Sequence, residues 1–171
     1  MKLTHKIILA LGAGILVFAV SGVLGLLTTG ALTGEAIEIG KDYTPWIYAS
    51  TKIRLNLTTS HLWLEEVLSG KEPLDRTQSV YQEIDQAQWY TNAILKGDSN
   101  IEWTISPIEI PSVRSGLEAL TESLQKFEMA AKARVDSFSA GEEQTQSQDD
   151  NFDMLYSEII SRLRVIENNI R

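Results

Sequence analysis

Residues 39–69 read IGKDYTPWIYASTKIRLNLTTSHLWLEEVLS, and the spacing within them decides the fold. Ile39, Tyr43, Trp46, Ser50, Ile53, Leu57, Ser60, Leu64 and Val67 follow one another at alternating steps of four and three. That rhythm lines them up on one stripe of an α-helix, as in a coiled-coil seam. Pro45 interrupts the run and marks a kink or a restart of the helix. Ser69-Gly70-Lys71-Glu72-Pro73 ends it, with glycine at the helix end and proline beyond.

The same period returns three times. Val80, Ile84, Ala87, Thr91 and Ile94 carry it through a helix over 75–96. Val113, Leu117, Leu120, Leu124, Phe127, Ala131, Arg134 and Phe138 carry it over 112–140, with Ser112 as the expected N-cap. Phe152, Tyr156, Ile159, Leu163, Ile166 and Ile170 carry it over 150–171. Between the second and third helices lies a long connection from Gly97 to Pro111 with β-branched pieces, long enough to pack over an end or to carry function. Gly141 to Asp150 contains no apolar residue and reads as a solvated linker. The period also suits an extended coiled coil, but each break reverses the chain. The expectation is therefore an all-α fold in which residues 35–171 form an antiparallel up-down-up-down four-helix bundle.

Ahead of the bundle the charge pattern changes. Lys2 and Lys6 precede a stretch from Ile7 to Gly34 with no charged side chain, and Ile7 to Leu27 is its densest apolar part. As a helix that part reaches roughly 30 Å, about the thickness of a bilayer's hydrocarbon core. A cleaved signal peptide would be shorter, and Ala19-Val20-Ser21 is a poor cleavage site inside the apolar run. The reading is a retained membrane anchor over 7–34, with residues 1–6 cytoplasmic by the positive-inside rule and the bundle in the bacterial periplasm.

The composition excludes several function classes. The chain has 171 residues, with 15 Lys and Arg against 23 Asp and Glu, for a net charge of −8. That acidity argues against nucleic acid as a partner, because phosphate binding needs a basic stripe. There are no cysteines, and the histidines are His5 and His61, so disulfides, thiolate sites and a three-histidine zinc site are excluded. No catalytic constellation and no nucleotide-binding glycine loop is present. The Asn56-Leu57-Thr58 sequon falls on the helical seam and reads as chance. No cofactor and no enzyme activity is expected.

One polar stripe interrupts this pattern. Arg54, Thr58, His61 and Glu65 follow at steps of four, three and four beside the apolar seam. At about 100° per residue His61 falls on the flank of the core, and Glu65 sits one turn beyond it. Such a set either fixes helix register through hydrogen bonds or lines a pocket for a polar ligand. A lone His-Glu pair is too small for a metal site. On the second helix Trp89 and Tyr90 are adjacent, so both cannot face one seam. The candidate ligand-binding residues are Arg54, Thr58, His61, Glu65, Trp89 and Asn92, with no catalytic residue and no metal ligand assigned.

Three pieces carry a resemblance. They are His61-Leu62-Trp63-Leu64-Glu65-Glu66 followed by Ser69-Gly70, then Gln88-Trp89-Tyr90-Thr91-Asn92-Ala93-Ile94-Leu95-Lys96-Gly97, then Phe152-Asp153-Met154-Leu155-Tyr156. In order and spacing the chain resembles the N-terminal extracytoplasmic sensor region of bacterial membrane receptors: methyl-accepting chemotaxis proteins, sensor histidine kinases and diguanylate cyclases. The resemblance implies a periplasmic helical sensor bundle acting as a homodimer, held by two membrane helices and coupled to a cytoplasmic output module. On that plan the second membrane helix and the output module are missing after helix four, so the chain reads either as a piece of a longer receptor or as a truncated relative. Its partners would be the lipid bilayer, a second copy, and an unknown small ligand or envelope protein. The rival reading is an anchored structural or interaction bundle that binds another envelope protein and senses no small molecule.

Overall fold

The computed structural model describes residues 43–142 and 145–170, within a compact unit spanning Asp42–Arg171. The expected anchor over 7–34, the residues before it and the seam position Ile39 lie outside the described residues. No helix among the described residues is long and apolar enough to cross a membrane.

The fold is all-α, with a minimal piece of sheet. Among the described residues the elements are α1 (Thr44–Leu68), a short 3-10 turn (Leu74–Arg76), α2 (Thr77–Lys96), β1 (Asp98–Ser99), β2 (Thr104–Ile105), α3 (Pro111–Ser139) and α4 (Gln146–Ile170). The helices correspond to the four periodic segments, and their ends depart from the sequence reading in instructive ways.

Three starts are corrected. The second helix begins at Thr77 and not Asp75, because Leu74–Arg76 is wound as a 3-10 turn. Ser112 does not cap α3; Ile110 is the capping residue and Pro111 occupies the first turn. Proline suits that position because its missing N–H has no helical partner there anyway. The largest shift is in α4, which starts at Gln146 inside the expected solvated linker. There the Gln148 N–H donates to Thr145 Oγ1 at 3.3 Å, and the Thr145 N–H donates to Gln148 Oε1 at 3.1 Å. This reciprocal pair is a capping box, which satisfies two otherwise orphaned donors and lets polar residues open a helix.

Each helix packs along two others: α1 along α2, α2 along α3, α3 along α4, and α4 along α1. Cross-helix contacts set α1 in the opposite direction to α2 and to α4. Tyr48 on α1 meets Tyr90 on α2, and Trp63 on α1 meets Arg76 in the turn that leads into α2. On α1 and α4, Arg54 meets Glu167 and His61 meets Asp153. The buried stripes face inward: Ile53, Leu57 and Leu64 on α1, Val80, Ile84 and Ile94 on α2, Leu117, Leu120, Leu124 and Phe127 on α3, and Phe152, Ile159 and Leu163 on α4 are all fully buried. Burying each such side chain contributes about 1.5–3 kcal/mol relative to exposure, so the heptad pattern supplies the driving force for assembly. Tyr156, expected on the seam, is only half-buried, and Leu155 beside it enters the core.

The connection between α2 and α3 is folded, not loose. Asp98 pairs with Ile105 and Ser99 with Thr104 in a two-strand antiparallel ladder. Ile105 and Ile108 are buried under it. Trp46 Nε1 donates to the Ser106 carbonyl at 2.6 Å, and Tyr48 donates to Glu102, tying the connection to the first turns of α1. Trp103 packs on the Tyr48 ring, with centroids 5.3 Å apart. Gly97 ends α2 at φ +78°, and a Cβ there would stand 2.9 Å from Pro107 Cδ; both features call for glycine. Arg114 Nη1 closes the turn by donating to the Leu95 and Ile108 carbonyls, each at 3.0 Å.

Candidate functional site

The contact between α1 and α4 carries a row of polar groups along its length. These two helices share the fewest close backbone approaches of the four neighbouring pairs, and a file of polar contacts bridges them. Arg54 Nη2 donates to Glu167 Oε2 at 2.6 Å. The Thr58 and Tyr156 hydroxyls are 3.0 Å apart. His61 Nε2 is 2.8 Å from Asp153 Oδ1. At the end of the file Arg134, from α3, joins the two helices: its Nη1 donates to Glu65 Oε1 at 2.5 Å and its Nη2 to Asp149 Oδ1 at 2.8 Å.

The helical repeat of α1 produces this file. Steps of four and three place Arg54, Thr58, His61 and Glu65 on one flank, one turn above another. On α4 the residues 149, 153, 156 and 167 recur at the same period, so the two stripes meet in opposite order. Thr58 Oγ1 also donates to the Arg54 carbonyl at 2.9 Å, which orients the hydroxyl toward Tyr156.

Arg134 is the charge at the centre of the distal end. Its side chain is 4% exposed, whereas those of Glu65 and Asp149 are 38% and 48% exposed. A guanidinium so enclosed needs carboxylates to offset lost hydration, and its fork geometry lets it hold two at once. It also lies over the Phe152 ring, 5.1 Å from its centroid. By its spacing Arg134 falls on the apolar stripe of its helix, and these two acids are what let a cation sit there.

An aromatic series backs the polar groups. Phe127 stacks on Phe152 with centroids 4.5 Å apart, Phe152 on His61 at 5.3 Å, and His61 on Tyr156 at 4.4 Å. The imidazole plane is therefore fixed by two rings from α4 while its edge stays open to Asp153. At the end of the seam a cavity of about 460 Å³ opens, with Glu65, Ser69, Arg134, Thr145 and Asp149 among its walls. A second groove, of about 420 Å³, lies between α3 and α4, where Gly116 leaves room beside Ile166. On its rim the Arg162 guanidinium, with Ser123 assisting, holds the Glu158 carboxyl below the usual carboxylate range.

Of the six residues singled out from sequence, Arg54, Thr58, His61 and Glu65 share this seam. Trp89 and Asn92 lie elsewhere, because α2 does not pack along α4. Trp89 Nε1 donates to Asp98 Oδ2 at 3.0 Å, and Asn92 Nδ2 donates to the Gln88 carbonyl one turn back on its own helix, at 3.0 Å. The residues that sequence reading did not select are Asp149, Asp153, Tyr156 and Glu167. Their shared helical face on α4 was the available signal.

No protein-family model matches the chain, and it matches no curated protein and no solved structure.

Proposed function

We propose that this chain is the membrane-anchored, extracytoplasmic sensory input domain of a bacterial signal-transduction receptor, built as an antiparallel four-helix bundle. A small polar ligand entering the cavity beside Glu65, Arg134 and Asp149 would bias the packing of α1 against α4. The anchor over 7–34 would hold the domain at the inner membrane, with a second copy as its partner.

One observation carries this reading. The first and last described helices share the fewest close approaches of the neighbouring pairs and are bridged directly by Arg54–Glu167, Thr58–Tyr156 and His61–Asp153. Apolar interdigitation is costly to shift, because packed cores resist displacement. A seam of hydrogen bonds and ion pairs exchanges partners at much lower cost, since each net contribution is about 1 kcal/mol. A ligand that competes for Arg134 or Glu65 therefore has leverage over the register of α4 on α1. It exerts that leverage only through different affinities for the two packings.

The test is a thermal-shift screen of the full-length chain against amino acids, organic acids, amines and metal ions. A compound that binds the folded form raises its melting temperature. The reading expects at least one such compound whose effect is lost in Glu65→Gln and Arg134→Lys variants. A screen with no stabilising compound, or hits unaffected by both variants, contradicts it.

A further inference from the structure

We propose that His61, Glu65 and Asp153 form a site for one divalent transition-metal ion that ties α1 to α4. One donor atom from each of the three side chains lies within 4.8 Å of the other two. His61 and Glu65 are four residues apart on α1 and so share a face. Asp153 comes from the opposite helix, already 2.8 Å from His61 Nε2. Three donors from two helices go beyond the single His-Glu pair visible in sequence.

The donor set selects the class of ion. One imidazole nitrogen with two carboxylate oxygens suits zinc, cobalt or nickel, whereas magnesium prefers oxygen ligands and bound water. Such an ion holds its ligands at about 2.0–2.2 Å, which puts neighbouring donors about 3.4 Å apart in a tetrahedral shell. Coordination opens the 2.8 Å His61–Asp153 contact slightly and brings Glu65 to the same centre, so it fixes the spacing of α4 from α1 at this turn.

The surroundings are suited to a cation. Glu65 and Asp149 pair with the Arg134 guanidinium and Asp153 with the His61 ring, so the cluster brings three carboxylates together with one guanidinium. Glu65 has two oxygens, and holding Arg134 through one leaves the other for the ion. Arg134 then orients the ligating carboxylate from outside, as outer partners do in metal sites. The His61 ring is already held in plane by Tyr156 and Phe152. Asp153 is 60% exposed, which gives an ion access from solvent. Binding needs only these three residues; that it moves the helices rests on the sensory reading above.

The full-length chain is stripped with a chelator and titrated with Zn²⁺, and separately with Co²⁺ and Mg²⁺, by calorimetry and thermal shift. His61→Ala and Asp153→Asn chains are treated alike. The proposal expects one zinc per chain, a raised melting temperature and cobalt absorption bands of a nitrogen–oxygen site. It expects no response to magnesium and at least a tenfold loss of zinc affinity in each variant. Because Asp153 is exposed, Asp153→Asn should keep wild-type helicity by circular dichroism, so its loss of zinc reports ligation and not unfolding. Absence of saturable zinc binding, or binding retained by the helical Asp153→Asn chain, overturns the site. If zinc binds without altering the α1–α4 distance, the site stands and zinc is not the signal that shifts the helices. If zinc does not bind, the site fails and other ligands test the sensory reading.

Discussion

Arg54 and Glu167 are 113 residues apart in the chain, yet their side chains meet at 2.6 Å across α1 and α4. This ion pair sits at the opposite end of the seam from Arg134, so it reports whether the two helices stay in register along their length. Arg54 is 36% exposed, and solvent screening keeps such a pair weak. A double-mutant cycle of Arg54→Ala and Glu167→Ala, followed by urea unfolding, should give a coupling of about 0.2–1 kcal/mol. A coupling near zero would mean the pair does not persist in solution.

Phe127 is fully buried and stacks on Phe152, which in turn stacks on His61. Phe127→Ala should therefore cost about 3–5 kcal/mol, through lost transfer energy and the cavity left behind. Denaturant unfolding of the variant measures it. A cost under about 1 kcal/mol would mean that α3 and α4 do not pack as described.

Thr145 and Gln148 open α4 through reciprocal hydrogen bonds. Thr145→Ala should cost about 1 kcal/mol, the usual value of a lost cap. It should also fray the first turn, seen as faster amide exchange at Gln148 and Asp149. Unchanged exchange would place the start of the helix further along, near Asp150.

Much of this architecture was legible in the sequence, and the exceptions have physical causes. The four-three spacing of Ile53, Leu57 and Leu64, or of Leu117, Leu120 and Leu124, marks the inward face because burial follows helical period. The same arithmetic put His61 on the flank of the core. The start of α4 was hidden because Gln146–Asp149 are polar throughout; the Thr145-x-x-Gln148 pattern carried the information instead. Pro111 takes the first turn in place of a Ser112 cap, because its fixed backbone angle already suits a helix start. Asp149 and Asp153 could not be matched to Arg134 and His61 in advance. Which turn of α4 faces which turn of α1 depends on the length and shape of every intervening connection.

Acid should weaken the fold partly through Glu128. Lys132 and Gln88 both donate to its carboxylate, at 2.5 Å and 2.7 Å, and together they hold it below the ordinary carboxylate range. The unfolded chain then takes up the proton first. The contribution is full above the ordinary range and disappears as pH falls through Glu128's own lower value. Glu83 acts oppositely, because burial raises its carboxyl and protonation as pH falls favours the fold. Glu128→Gln should make stability less pH-dependent below about pH 4, read from urea midpoints at neutral and acid pH. A variant with the wild-type acid profile would contradict this.

The account stands or falls on whether a bound compound changes how α1 sits against α4. The chain has no cysteine, and Leu62 and Met154 are exposed on these two helices, at 56% and 58%, so each accepts a spin label as Leu62→Cys and Met154→Cys. Pulsed electron–electron distance measurement on the doubly labelled full-length chain should show one distribution alone and a displaced one at saturation with a compound that raises the melting temperature. A distribution that no stabilising compound moves would contradict the proposed sensory role.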